Sequence, residues 1–227
     1  MFLPGWYDAV SEYFDTDNDI VYFLATSRYE ETGLTGTRHR LFRSYAENYL
    51  NDPNHRNELL LRYNYLAAGA VMYRRSFLNE NALRFGTTLW AEDTLFVAQA
   101  GHAANRFAVA NETIFCFSQR KGSLTTIRSR EAMLQHMNTK VEKFAFMYSV
   151  LSPEEIPLVD LEYAGAKVLF HVAADGYGLK SFFEYGRLLR EKNVPVINLR
   201  SFDLAHFLRR SYEGLSRTLT AGRTDDE

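Results

Sequence analysis

The sequence predicts an α/β protein in which a mixed sheet of three to five short strands is flanked by helices and followed by a mainly helical region. Two patterns support this prediction. Up to about residue 127, short runs of β-branched and aromatic residues alternate with helical periodicity and polar turns. From Ser129 onward, apolar residues recur at spacings of three and four, which is the period of an amphipathic helix. We therefore divide the 227-residue chain into 1–127 and 128–227.

The predicted strands are short and lie between polar or glycine-containing turns. Residues 19–25 (DIVYFLA) form the most apolar run, which is typical of a buried strand. The predicted strands cover residues 19–25, 66–73, 107–110 and 112–118. The predicted loops cover residues 29–37, 51–57 and 121–126.

The predicted helices begin near the chain terminus, where Pro4 suits a helical first turn. The helices predicted in the first part of the chain cover residues 4–14, 38–50, 74–83 and 90–100. The second part is predicted to be a series of helices that ends with a closing helix over 200–219 and an acidic tail.

Composition excludes several classes of function. A net charge of −2 lacks the basic excess of a non-specific nucleic-acid-binding protein. The single cysteine, Cys116, excludes an internal disulfide and a cysteine-based zinc site, and its apolar surroundings predict a buried thiol. No apolar run approaches the ~18 residues of a membrane span, and the N-terminus shows no signal pattern. We expect a cytoplasmic protein, for which peripheral contact with a membrane stays open.

The acidic pair Glu92-Asp93 stands at the start of an apolar helical pattern. In inverting sugar transfer, a carboxylate takes the proton from the attacking hydroxyl, and backbone N–H groups at a helix N-terminus keep such a carboxylate ionised. A plain N-cap or first-turn acidic residue would give the same local pattern.

A basic cluster follows about thirty residues later, at the end of a strand-like run. Gln119 and Arg120 precede a loop in which Ser123 supplies a hydroxyl. A guanidinium can bind phosphate oxygens in bidentate fashion, so this cluster suits a phosphate leaving group. The alternative is an exposed turn after an edge strand.

In order and spacing, these features resemble the catalytic and acceptor-side part of the family-2 glycosyltransferases, which have the GT-A fold. The resemblance covers residues 1–127 and implies a partial GT-A-like sheet. It implies that Asp93 is the general base and Glu92 its acidic neighbour. It places Gln119, Arg120 and Ser123 on the phosphate (donor) side. It places Gly69, Tyr73, Arg74 and Trp90 on the acceptor side. Close strand–helix packing is the alternative for the segment around Gly69, and a core anchor is the alternative for Trp90.

The resemblance also implies a missing part. The nucleotide-binding half of the family precedes the segment that Met1–Pro4 resembles, so we expect this chain to be inactive alone and to hold no cofactor. The complete enzyme is expected to bind Mn²⁺ or Mg²⁺, a nucleotide sugar, and a glycan or glycolipid acceptor. The Gln-x-x-Arg-Trp form of processive members is absent, which argues against a polymerising synthase.

The run Asp15-Thr16-Asp17-Asn18-Asp19 superficially matches the Asp-x-Asp with which this fold holds a divalent cation. That motif should end an apolar strand, whereas this run precedes one. As a calcium loop it lacks the glycine and the bidentate glutamate, because Ile20 and Thr26 hold those positions. We predict a solvated turn and no metal site.

Two other hypotheses remain open from the sequence. One is a stand-alone, non-catalytic module that binds a glycan or takes part in assembly. The other is an unrelated α/β protein in which Asp93 and Arg120 never meet.

Because loss of a parallel half-sheet would expose a strand edge, we also expect a homo-oligomer formed through that edge.

Overall fold

A computed structural model describes residues 1–120, 122–123, 129–174 and 176–198. The strands are β1 (Ile20–Tyr29), β2 (Val71–Tyr73) and β3 (Phe107–Gln119). The helices are α1 (Trp6–Ser11), α2 (Arg40–Asn51), α3 (His55–Asn64), α4 (Arg75–Glu80), α5 (Glu92–Ala103), α6 (Arg130–Val150), α7 (Ala164–Ala174) and α8 (Gly178–Glu191). The predicted fold class is confirmed: a small mixed sheet is flanked by helices and followed by a helical region.

Strand β1 is the centre of the sheet, whose order is β2-β1-β3. It is buried at every position from Ile20 to Ala25. It pairs antiparallel with β2 and parallel with β3. A strand covered on both faces and paired on both sides reads as a continuous apolar run, which explains why DIVYFLA is the clearest strand signal in the sequence.

Two strand predictions are wrong in detail. The segment 66–73 is extended only over Val71–Tyr73, because Ala68–Ala70 forms a turn of 3₁₀ helix. The runs 107–110 and 112–118 are one strand, β3, and not two. Its register against β1 shifts between Tyr22 and Leu24 and again between Leu24 and Ala25, so the polar residues that suggested a break form a bulge.

Helix α3 has no counterpart among the predicted helices. The side chain of Asn54 caps it by accepting a hydrogen bond from the Asn57 N–H at 2.9 Å. It packs closely on α5, where a Cβ at Gly101 would lie 2.0 Å from the carbonyl oxygen of Arg62. The Arg62 guanidinium donates to the carbonyls of Gly101 and Ala104, both at 2.8 Å, and so satisfies the C-terminal end of α5.

The helical region shares part of its core with the first part of the chain. One cluster of buried residues joins Leu59, Tyr63 and Ala98 to Met147 and Leu161. A second cluster lies within α6, α7 and α8. Helix α6 therefore lies against α3 and α5, and the predicted closing helix over 200–219 falls outside the described residues.

The Asp15–Asp19 turn is only partly the solvated turn that the sequence predicts. Asp17 is exposed and pairs with Arg106 at 2.7 Å, whereas Asp19 is 3% exposed. The Asp19 carboxylate accepts hydrogen bonds from the Arg74 guanidinium and from the N–H groups of Asn105 and Arg106. It thus ties the starts of β1 and β3 to the end of β2.

The outer edge of β3 is partly covered by the chain's own N-terminus. The N–H of Leu3 donates to the Ile114 carbonyl at 2.9 Å, and the N–H of Cys116 donates to the Met1 carbonyl at 2.9 Å. Phe2 and Trp6 stack beside this edge with ring centroids 4.5 Å apart and remain largely exposed. Association through this edge stays a prediction. Within the described ranges, no helix is long and apolar enough to cross a bilayer.

We predict that Asp19→Ala lowers the free energy of unfolding by about 3 kcal/mol, because it leaves two backbone N–H groups and a guanidinium without their acceptor. Urea denaturation measures the change. Asp17→Ala is the matched control, since its ion pair with Arg106 is exposed and should contribute less than about 0.5 kcal/mol. Equal effects of the two substitutions would contradict the anchoring role of Asp19.

Candidate functional site

A cavity of about 700 Å³ lies where the N-terminal end of α5 meets the helical region. It is bounded by the segment before α2, by α3, by the start of α5, and by α6 and α7. Three of the predicted site residues line it: Trp90, Glu92 and Asp93.

The acidic side of the cavity is shaped by an unusual backbone conformation. Ala91, the N-cap of α5, has φ 60°, which costs a non-glycine residue about 1 kcal/mol. The Gly86 N–H donates to the Glu92 carbonyl at 2.8 Å and holds the turn. This geometry starts the helix at Glu92 and brings Asp93 to the cavity wall.

Burial raises the pKa of Asp93, and the neighbouring Glu92 carboxylate raises it further. The N–H of Asp93 itself, the Arg38 guanidinium and the Thr94 hydroxyl act in the opposite direction. The helix N-terminus therefore does favour the ionised form, as the sequence suggests, but its effect is smaller than that of burial. A carboxylate with a raised pKa is a better proton acceptor.

Arg38 is an exposed residue that lines the cavity, and its charge and that of Asp93 act on each other. Its guanidinium stands 4.9 Å from the ring centroid of Phe117. Its backbone N–H donates to Oε1 of Gln119 at 3.4 Å. Gln119 thus reaches the site indirectly, by holding the loop that carries Arg38.

The opposite side of the cavity is a basic wall, which we define as His136, Lys140 and Lys143 of α6 together with Lys167 and His171 of α7. Lys143 is 5% exposed, and its Nζ donates to Oδ1 of Asn64 at 2.8 Å. Burial lowers the pKa of Lys143 to about 7; Lys140 lowers it too, whereas Asp93 raises it.

Two aromatic residues of the predicted acceptor side lie near Asp93. The Tyr73 ring packs edge-on against Phe96 at 5.2 Å. Burial raises the pKa of Tyr73 well above its usual value, and Tyr22 and Asp93 raise it further. Trp90 lines the cavity, and its indole N–H is buried without a hydrogen-bond partner among the described residues.

The structure does not bring the remaining predicted residues to the cavity wall. A Cβ at Gly69 would lie 2.6 Å from the Phe115 ring, so close packing accounts for this glycine. Arg74 binds Asp19 at the other end of β1. Arg120 and Ser123 do not line the cavity; the Arg120 carbonyl accepts from the Ser123 N–H at 3.5 Å. Lys121 and residues 124–126 of the predicted loop fall outside the described residues.

Among the residues that the structure describes, the aspartates of the Asp15–Asp19 turn do not form a site for Mn²⁺ or Mg²⁺. Asp17 and Asp19 are engaged by Arg106 and Arg74. Within the part of the chain that the structure describes, no group of three or more His, Cys, Asp or Glu side chains could hold a metal ion. We therefore derive no step through a metal ion.

Sequence reasoning missed Arg38 and the basic wall. A signal for the wall does exist: positions 136, 140 and 143 follow the spacing of one helix face, as do 167 and 171. This spacing shows that the residues share a face. It does not show that the face is turned toward Asp93.

Comparison with known proteins finds distant likeness only. No protein-family model matches the chain, and no curated protein matches it. The solved structures that are similar to it include two crystal structures of S. aureus TarS. The first, TarS 1–349 in complex with UDP-GlcNAc, is 16% identical, with 85% of this chain and 64% of that chain covered and a TM-score of 0.42.

The second TarS structure is also 16% identical, with 84% of this chain and 36% of that chain covered and a TM-score of 0.36. The chain thus spans less than two thirds of either TarS chain. At this identity and these scores, the likeness does not assign a fold or a function.

We predict that Lys143→Met stabilises the protein below pH 7. The folded-state pKa of about 7 lies below the usual 10.5, so the unfolded chain binds the extra proton between these values and stability rises with pH across that window. Below pH 7 the whole deficit, on the order of 5 kcal/mol, is present, and the substitution removes it.

Urea denaturation of the wild type and Lys143→Met at several pH values measures this effect. The difference should be largest at pH 6 and shrink toward pH 10. Lys180→Met is the control, because Lys180 is 88% exposed on α8 and should change stability by less than about 0.5 kcal/mol. A difference that does not depend on pH would show that Lys143 stays charged when buried.

Proposed function

We propose that this chain is the catalytic and acceptor-side part of an inverting glycosyltransferase, in which Asp93 is the general base. The observation that supports this proposal best is the position of Asp93, a carboxylate with a raised pKa at the start of α5 on the wall of a large cavity. The same wall carries Trp90, whose ring suits the face of a sugar.

The proposed reaction is a single displacement. The acceptor hydroxyl attacks the anomeric carbon, and its proton passes to the Asp93 carboxylate. A glycosidic C–O bond forms while the bond from the anomeric carbon to the phosphate oxygen breaks, and the nucleoside diphosphate leaves with the electron pair. Cations of the cavity stabilise the charge that develops in the transition state.

We assign roles to the other site residues from their positions. Glu92 is exposed beside Asp93 and raises its pKa, while Arg38 opposes that shift. Tyr73 packs edge-on against Phe96, near enough to Asp93 for that carboxylate to raise its pKa. Gln119 positions the Arg38 loop, and Arg120 with Ser123 remains a phosphate-side prediction. Binding of the donor's nucleoside and of any divalent cation is assigned to a preceding nucleotide-binding region of a longer enzyme.

We predict that Asp93→Asn lowers sugar transfer by about 10²- to 10⁴-fold, because an amide cannot accept the hydroxyl proton. The assay requires a protein in which this chain follows a nucleotide-binding region. Asp17→Asn is the control, since Asp17 is exposed in a different part of the fold and should leave transfer unchanged. Full activity of Asp93→Asn, with an unchanged melting temperature, would refute the proposed base.

We also predict that the chain alone binds nucleotide sugars no more tightly than it binds a simple phosphate ester. Calorimetric titration with a panel of nucleotide sugars that includes UDP-GlcNAc, the ligand in the TarS structure, tests this. Micromolar binding of an intact nucleotide sugar would place the donor site in this chain and would contradict the need for a further region. Binding of a glycan without any transfer by the longer protein would favour the non-catalytic module.

A further inference from the structure

Lys143 is the most deeply buried lysine of the basic wall. A protonated lysine has three N–H donors. The described residues give Lys143 one hydrogen-bond acceptor, Oδ1 of Asn64, although its side chain is almost fully buried. A buried ammonium needs more hydrogen-bond acceptors than one, or a close counter-charge. Because Lys143 has only the one acceptor, burial favours its neutral form.

The charged groups that line the cavity with Lys143 come from the segment before α2, from α5, α6 and α7, and from the segment before α7, whereas α3 contributes the neutral residues Leu60 and Asn64. The cations are Arg38 before α2, Lys140 on α6 and Lys167 on α7, and the acids are Glu92 and Asp93 on α5 and Asp160 before α7. The histidines are His136 and His171. Acidic groups at the start of α5 therefore face cations on α6 and α7 across one open volume.

A donor without any acceptor lines the same cavity, on the side of Asp93. The indole N–H of Trp90 is buried and has no hydrogen-bond partner among the described residues. Nε1 of tryptophan can only donate. The Trp90 N–H thus has no acceptor among the described residues, and Lys143 has one acceptor, Oδ1 of Asn64, for its three N–H donors. The charge of Asp93 favours the protonated lysine but does not outweigh its burial.

We propose that the basic wall binds a phosphate group and that Lys143 takes up a proton as the phosphate binds. A phosphate supplies negative charge and several strong acceptor oxygens at once, which a neutral sugar hydroxyl does not. A carboxylate offers fewer acceptor oxygens than a phosphate does, so it would pair less completely with cations from two helices. The phosphate belongs either to the acceptor or to the departing donor diphosphate, and this choice of source rests on the proposed function, whereas the site itself does not.

The proposal gives the helical region a task. Helices α6 and α7 would add positive charge to that of Arg38 beside Asp93. Without ligand, neutral Lys143 avoids a costly buried charge. With phosphate bound, the charged form is stabilised, so affinity should fall as pH rises above 7, by at most about tenfold per pH unit.

The test uses the chain 1–227 and sn-glycerol 3-phosphate as the probe. The chain has two tryptophans, so Trp6→Phe leaves Trp90 as the fluorescent reporter inside the cavity. Fluorescence titration at pH 6, 7 and 8 gives the affinity. Calorimetry in two buffers of different ionisation enthalpy gives the number of protons taken up on binding.

Lys143→Met should weaken binding about tenfold or more, because a charge-assisted hydrogen bond is lost. The phosphate of the probe also changes its protonation with pH, and the pH dependence measured with Lys143→Met is subtracted to remove this contribution. Lys143→Arg should bind at pH 8 at least as well as the wild type does and should take up no proton, because an arginine does not deprotonate. Lys180→Met, on the exposed face of α8, should match the wild type.

Three results would overturn the inference. One is the absence of any saturable response to the probe in a folded wild-type chain. Another is wild-type affinity in Lys143→Met. The third is a proton uptake that disappears in His136→Gln but persists in Lys143→Arg, because histidines also change charge near neutral pH.

A second probe, UDP, distinguishes the two possible sources of the phosphate. UDP that binds in the same Lys143-dependent manner, and much more tightly than glycerol 3-phosphate, would assign the site to the donor; equal or weaker binding of UDP would assign it to the acceptor. Either result supports a phosphate site. Loss of transfer in Asp93→Asn without any phosphate binding would leave the proposed function standing and the inference refuted.

Discussion

The parallel pairing of β1 with β3 is the constraint on which the site depends. Parallel neighbours cannot be joined by a tight turn, so the chain must cross the sheet through intervening helices before it enters β3. Helix α5 is the last of these, and it must end where β3 begins. Its N-terminal end, with Asp93, therefore lies away from the start of β3. Asp19 secures this arrangement by binding the N–H groups of Asn105 and Arg106 at the α5–β3 connection.

The second constraint is the packing of α6 on α3 and α5. Shared apolar residues such as Leu59, Ala98 and Met147 hold the helical region against the first part of the chain. The same packing buries Lys143 near Asp93 and gives it one hydrogen-bond acceptor among the described residues, Oδ1 of Asn64. A buried lysine lowers stability, so the apolar contacts of α6 must offset its cost. That cost is the physical basis for expecting an anionic ligand.

Sequence patterns predicted the elements with strong local signals and failed where tertiary contacts decide. The apolar run of β1, the helical character of the α6 segment and the acidic start of α5 were all predicted. The break between residues 110 and 112 was wrong, because pairing with β1 carries β3 through a bulge. The strand predicted over 66–73 was too long. Residues Ala68–Ala70 form a turn of 3₁₀ helix, in which Gly69 leaves room for the Phe115 ring. Helix α3 lacks clear amphipathic periodicity because it packs against α2, α5 and the segment Ile156–Val159.

By itself, the sequence determined which segments could be buried and that Asp93 stands at a helix N-terminus, because both follow from residues close together in the chain. It also contained the one-face spacing of positions 136, 140 and 143. Only the tertiary structure decided what Asp93 faces. Arg38 and Lys143 lie about fifty residues on either side of it, and their side chains come near it through the placement of the segment before α2 and the packing of α6 on α5. No local pattern encodes such a meeting, because it depends on the relative placement of helices and not on the period of any one of them.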